Sequence, residues 1–190
     1  MITVYTGPMF SGKSLGLLTA YDNIWNKDNV LAFKPKTDTR DFGIIKSRKS
    51  SILINAICIK DLKEIKKHIN RNTKTIFIDE IQFLSGDVAE ILKLSINKDI
   101  DFHIAGLNMT SEQKPFGIMP NVLSIADQIY IYKAVCYDCN KEAEFSFYED
   151  IKDSDELVGS KGYLPLCRNC LKKRRKKKGR DKNVLQSNKK

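Results

Sequence analysis

Gly7-Pro8-Met9-Phe10-Ser11-Gly12-Lys13-Ser14 matches the pattern G-x-x-x-x-G-K-[S/T], and its flanks decide the fold. Before it, Ile2–Thr6 alternates apolar residues with Thr and Tyr, as a buried strand does. After it, Leu17, Leu18, Tyr21, Ile24 and Trp25 recur at helical spacing across Leu15–Trp25. A strand, a glycine loop and a helix in that order form a phosphate site. The backbone N–H groups and the helix N-terminus converge on anionic oxygens. In such a loop Lys13 reaches the β- and γ-phosphates, and the Ser14 hydroxyl is a Mg²⁺ ligand. The competing reading is a chance glycine turn, which lacks the flanking strand and helix.

Outward from the loop, Val30–Phe33 reads as a second strand ended by Lys34-Pro35, and 51–59 contains a third. Asp61–Ile69 reads as a polar-faced helix and Val88–Ile96 as another helix, with apolar positions at Val88, Ile91, Leu92 and Ile96. Lys74–Asp79, Ile100–Gly106 and Gln128–Tyr132 read as further strands. Strands alternating with helices predict an α/β fold with a mostly parallel sheet covered on both faces, a P-loop NTPase core of RecA-like type. Thr75-Ile76-Phe77-Ile78 is an apolar strand that ends in Asp79-Glu80. Asp79 is expected to hold Mg²⁺ through water, and Glu80 to take a proton from an attacking hydroxyl. Strand-end acids also cap helices, which is the plainer use of such a pair.

The texture changes near Ala134. Cys136-x-x-Cys139 and Cys167-x-x-Cys170 form two knuckles separated by 27 residues. Four thiolates so arranged suit a structural Zn²⁺ with no open coordination position. Two disulfides are the competing pairing. Cys58, alone in an apolar run, reads as a core residue, and His68 and His103 read as structural. The divisions are 1–133 for the ATP-binding core, 134–172 for the metal module and 173–190 for a basic tail expected to be disordered.

Charge argues against a nucleic-acid-binding body. The net charge is +10, yet residues 171–190 carry 11 Lys and Arg and one acid, which leaves 22 basic and 22 acidic residues elsewhere. The excess is therefore a tail, open to a nuclear-import or polyanion role. No apolar run approaches the roughly 20 residues of a membrane span. Met1–Gly7 carries no charged leader before an apolar stretch, so a cytoplasmic protein is expected.

Further segments lie in sequence with these: Lys36-Thr37-Asp38-Thr39-Arg40, Ile78–Phe83, Ala105-Gly106-Leu107-Asn108 and Lys114-Pro115-Phe116-Gly117. With the glycine loop and the paired cysteines, this order resembles the thymidine kinase family that carries a zinc-binding lasso, over about residues 2–171. The resemblance implies transfer of the ATP γ-phosphoryl group to the 5′-hydroxyl of thymidine, with deoxyuridine a further acceptor, for DNA-precursor salvage. It implies Glu80 as general base, Asp79, Ser14 and, less directly, Asp38 at Mg²⁺, and Lys13 and Arg40 on the phosphates. Met9, Leu107 and Phe116 match the nucleoside pocket, with Gln82 beside the base. Tyr163 matches a stacking tyrosine in the lasso, and Val158 and Gly159 backbone groups that read the pyrimidine edge. Ser146 stands near the 5-methyl position, where Thr is common. Ser111 replaces an aromatic residue, and Gly159-Ser160 replaces Gly-Gly. The resemblance also implies a homotetramer or dimer. Two other functional classes compete: a nucleic-acid-binding P-loop ATPase with a zinc ribbon, and a noncatalytic zinc-bound descendant.

Overall fold

Each central strand divides its residues between two buried faces, because successive side chains point to opposite sides of a sheet. Ile2 and Val4 on β1 (Ile2–Thr6), Phe33 on β2 (Val30–Pro35), and Ile76 and Ile78 on β6 (Thr75–Ile78) join one core cluster, as do Phe102 and Ile104 on β7 (Asp101–Gly106). Tyr5, Ala32, Phe77 and Ala105 face the other way and form a second cluster. This computed structural model describes residues 1–39, 41–149 and 161–187, by backbone alone from 178 onward.

The sheet has six strands in the order β5-β2-β6-β7-β1-β8, and every pairing is parallel. Its edges are β5 (Ile57–Ile59) and β8 (Gln128–Ile131). α2 (Ala89–Lys98) and α3 (Met119–Ser124) cover the first face through Ile91, Leu94, Met119 and Val122. α1 (Lys13–Asp22) covers the second through Leu17 and Leu18. A hairpin, β3 (Ile44–Lys46) with β4 (Leu53–Asn55), packs Ile45 and Ile54 against that same face. Among the described residues no helix is long and apolar enough to cross a membrane.

Several expectations change. α1 ends at Asp22, and Trp25 is fully exposed instead of continuing the helix. The helix expected over Asp61–Ile69 is a 3₁₀ segment, Leu62–Lys67, started by a capping box in which Asp61 and Glu64 satisfy each other's backbone. Cys58 is half-buried on an edge strand, not enclosed in the core. His103 is structural, stacked on Phe77 with its Nδ1 at 3.0 Å from the Tyr5 hydroxyl.

Beyond the sheet, β9 (Ala134–Val135) pairs with β10 (Glu142–Ala143), and β11 (Phe145–Tyr148) with β12 (Tyr163–Leu166). They enclose a small core of their own, including Ala143, Phe145, Phe147 and Leu166. The described part of the basic tail lies in α4, Arg168–Ser187. Lys and Arg are good helix formers, and the second cysteine knuckle opens the helix. Arg174 then anchors it, with Nε at 2.9 Å and Nη2 at 2.6 Å from Asp138 and a further bond to Glu149.

Candidate active site

In a parallel sheet all strands end on one side, and ligands collect there. β1 delivers the glycine loop to that edge, β2 delivers Asp38, β6 delivers Asp79 and Glu80, and β7 delivers Gly106 and Leu107. The loop bends through left-handed backbone at Phe10 (φ 65°) and Gly12 (φ 93°). Gly7 has φ 140°, and a Cβ there would stand 2.2 Å from the Tyr132 carbonyl oxygen, so only glycine passes. α1 begins at Lys13, which places a helix N-terminus against the concavity. Lys13 Nζ lies back across the loop and donates to the Pro8 carbonyl at 2.8 Å. The Ser11 hydroxyl is buried and lacks a hydrogen-bond partner among the described residues.

Ser14 Oγ lies 3.3 and 3.4 Å from the two Asp79 carboxylate oxygens, so hydroxyl and carboxylate face one point, as two ligands of one cation do. Burial, then the neighbouring Glu80 charge, push the Asp79 carboxyl up to about 7, against the opposing pull of the Glu80 N–H and Lys13. A bound cation would reverse that balance. Asp38 is buried beside Lys34 Nζ at 3.1 Å. Lys34, itself 2 % exposed, also donates to the carbonyls of Asp41 (2.8 Å) and Ile44 (3.0 Å). One buried ammonium thus sets both the Asp38 carboxylate and the base of the hairpin.

Glu80 has left-handed backbone (φ 52°, ψ 38°), uncommon for a residue with a side chain. Gln82 Nε2 donates to its carboxylate at 2.6 Å, and Gln82 Oε1 accepts from the Leu107 N–H at 3.0 Å. Two adjoining chambers share Ser14, Glu80 and the hairpin residues Lys46, Ser47 and Arg48. One, of about 370 Å³, is lined by Met9, Phe83, Leu107, Met109, Phe116 and Tyr163, with Ser111 and Ser146 among its polar groups. That is the size and character of a small-molecule pocket. The other, of about 730 Å³, is lined by Lys34, Asp38, Asp79 and the hairpin's Lys46 and Arg48. The Ser146 hydroxyl accepts from the Met9 N–H at 2.9 Å, which ties β11 to the phosphate loop.

The four sulfurs of Cys136, Cys139, Cys167 and Cys170 lie within 4.8 Å of one another. Cys139 and Cys167 are 3.7 Å apart, too far for a disulfide and close to the roughly 3.8 Å edge of a tetrahedron with Zn–S bonds of about 2.3 Å. Cys136 Sγ accepts from the Cys167 N–H at 3.2 Å, and Cys167 Sγ from the Cys170 N–H at 3.5 Å, bonds that suit thiolates. The cluster could hold a zinc ion.

A family profile described as Thymidine kinase matches residues 1–171. The chain is 38% identical over 173 residues to a thymidine kinase of Mycoplasma mobile, covering 90% of this chain and 86% of that one. It is 32% identical over 178 residues to one of Pseudothermotoga lettingae, covering 90% and 95%, and 32% identical over 173 residues to one of Mesomycoplasma hyopneumoniae, covering 90% and 94%. The chain belongs to the thymidine kinase family. With the family it is an ATP-dependent nucleoside kinase. These relatives are bacterial, which lends the nuclear-import role of the tail no support.

Most of the residues that the family resemblance singles out meet at the carboxyl edge. Met9, Phe10, Gly12, Lys13, Ser14, Glu80, Leu107, Phe116, Ser146 and Tyr163 all line the first chamber. Tyr163, assigned to the lasso loop, opens strand β12 and packs on Tyr148, with ring centroids 4.9 Å apart. Gln82, 3 % exposed, sits behind Glu80 and outside the chamber lining. Arg40, Val158 and Gly159 lie outside the described residues. Sequence reasoning missed Phe83, Met109, Lys34 and the basic hairpin. Phe83 had a signal, since it ends the Ile78–Phe83 segment; a 3₁₀ turn, Ile81–Phe83, carries it edge-on to Phe116 at 5.2 Å. Lys34 had none, because a lysine before a proline reads as a strand end.

Proposed function

We propose that this kinase transfers the γ-phosphoryl group of ATP to the 5′-hydroxyl of thymidine, with deoxyuridine a second acceptor. The observation that carries this reading is Glu80 at the junction of the two chambers, one lined by apolar rings and the phosphate loop, one by the buried carboxylates Asp38 and Asp79. The flat face of a pyrimidine base suits the first, packed among Met9, Phe83, Leu107, Phe116 and Tyr163. Triphosphate oxygens suit the loop N–H groups, with Lys13 and Arg40 supplying positive charge. Ser14 and Asp79, with Asp38 behind them, would hold Mg²⁺, which would neutralise charge on the phosphate oxygens.

The 5′-hydroxyl gives its proton to the Glu80 carboxylate as its oxygen bonds to the γ-phosphorus. The bond from that phosphorus to the β-phosphate bridging oxygen breaks, and its electron pair leaves with ADP. Ser146 and Met9 face the base where a 5-methyl group would lie, and the serine leaves more room there than a threonine. Val158 and Gly159 would read the polar edge of the base. The four cysteines would hold a structural Zn²⁺ and so join the two ends of the lasso. Assembly as a homotetramer, or a dimer, is supported by the exposed edge strand β8 with Ile129, Tyr130 and Ile131. The test is ATP and Mg²⁺ with a nucleoside panel, following 5′-monophosphate. Thymidine should be the best acceptor; no product from any pyrimidine deoxynucleoside would refute the assignment.

A further inference from the structure

A glutamate side chain turns about three bonds, so a general base at its tip works only if something fixes the carboxylate. The backbone of Glu80 does part of this through its left-handed geometry, and its N–H is already taken by Asp79 Oδ1 at 3.0 Å. Neither constraint reaches the end of the side chain. Gln82 does, two residues on, with its amide nitrogen 2.6 Å from Glu80 Oε2.

The orientation of that amide follows from its other end. The Leu107 N–H can only donate, so it must face the amide oxygen, and the NH₂ group is thereby turned toward Glu80. Gln82 is enclosed, at 3 % exposure, and closely approached at both side chain and backbone. A Cβ at Gly106 would stand 2.8 Å from Gln82 Oε1, and one at Gly117 would stand 2.0 Å from the Gln82 carbonyl oxygen. Both glycines leave just the space the glutamine fills. Leu107, whose backbone holds the far end, also lines the apolar chamber.

We propose that Gln82 is a positioning residue: its amide fixes the Glu80 carboxylate for proton transfer and links that setting to the pocket wall at Leu107. The proposal rests on Glu80 being the general base. A carboxylate accepts on every lone pair, so an amide N–H on Oε2 steers the group without removing its capacity to take the 5′-hydroxyl proton. Because Gln82 is enclosed and does not line the chamber, it acts through Glu80 and not through the nucleoside.

A double-mutant cycle on the full chain tests this, with Gln82→Met and Glu80→Gln alone and together, reading kcat and KM for ATP and thymidine and the melting temperature. Misplacing a reacting group by about 1 Å costs up to about a hundredfold, so Gln82→Met should lower kcat by roughly tenfold to a hundredfold, with KM for ATP within about twofold. In the Glu80→Gln background the same substitution should change the residual rate by less than about threefold. An equal loss in both backgrounds would overturn the inference while leaving Glu80 as base. A rise in thymidine KM with kcat unchanged would overturn it in favour of a nucleoside contact. Unchanged turnover in Glu80→Gln would overturn the base assignment, and the inference with it. If Gln82→Met does not fold, Gln82→Asn, too short to span both partners, enters the same cycle under the same criteria.

Discussion

Replacing Glu80 with glutamine should separate proton transfer from metal and nucleotide binding. The new side chain has the same length and keeps an oxygen that can accept the Gln82 N–H, now at 2.6 Å from the carboxylate. What disappears is the proton acceptor, and loss of a general base lowers turnover by about 10²- to 10⁴-fold, or about 2.7–5.5 kcal/mol of barrier. The charge of Glu80 has a second effect. After burial, it is the largest influence raising the Asp79 carboxyl, to about 7. Without it Asp79 moves back toward the ordinary carboxylate range and is more fully ionised at neutral pH. A cation binds the ionised form, so Mg·ATP should bind Glu80→Gln as tightly as wild type or more tightly near pH 7. The difference should fade above about pH 8, where Asp79 is ionised in both proteins. Titration calorimetry with Mg·ATP at about pH 6.5 and about pH 8.5, beside single-turnover kinetics, reads both effects. Unchanged turnover would refute the base assignment. Mg·ATP binding weakened by about tenfold or more would mean that Glu80 holds the metal instead.

Asp79→Asn should raise the melting temperature of the nucleotide-free protein at about pH 8 while abolishing turnover. The folded-state pKa of Asp79 is raised, so its ionisation destabilises the fold progressively from about pH 4 to about pH 7 and fully above that. The gain should therefore vanish below about pH 4, and a lower melting temperature at pH 8 would contradict this account. Lys34→Met removes the buried cation beside Asp38 and should cost about 3–5 kcal/mol, or roughly 6–20 °C in melting temperature. Adding Asp38→Asn should restore part of it; a single variant melting within about 2 °C of wild type would show the pair to be unimportant. Stripping zinc with a chelator should raise the KM for thymidine before it alters ATP binding, since the module supplies Tyr163 and the Ser146 contact to Met9. Simultaneous loss of both would place the metal's role in the whole fold instead.

The central strands were legible because each must satisfy two cores at once, which writes long apolar runs such as Thr75–Ile78 into the chain. The β3–β4 hairpin was not: its strands are three residues each, and only Ile45 and Ile54 are buried, against α1's face of the sheet. The helical course of α4 was hidden by its charge. Seven consecutive basic residues, 172–178, read as solvated chain until Asp138 and Glu149 are seen to receive Arg174. In the site, the glycine loop, the strand-end acids and the cysteines carried their chemistry in their spacing. Gln82 did not, because its function depends on the Leu107 N–H, 25 residues away along the chain.

By itself the sequence supplied groups suited to phosphate, cation and proton: Gly7–Ser14, Asp79 and Glu80, and four thiols in two knuckles. Those features are local, since spacing along one strand, turn or helix start suffices to define them. The tertiary structure decided how they act together. Parallel pairing brings the ends of β1, β2, β6 and β7 to one edge, and β11 reaches back to Met9 through Ser146. The buried amide of Gln82 then aims Glu80 from behind. Hydrogen bonds and burial between distant segments leave no periodic trace in the chain, so only the folded arrangement contains them.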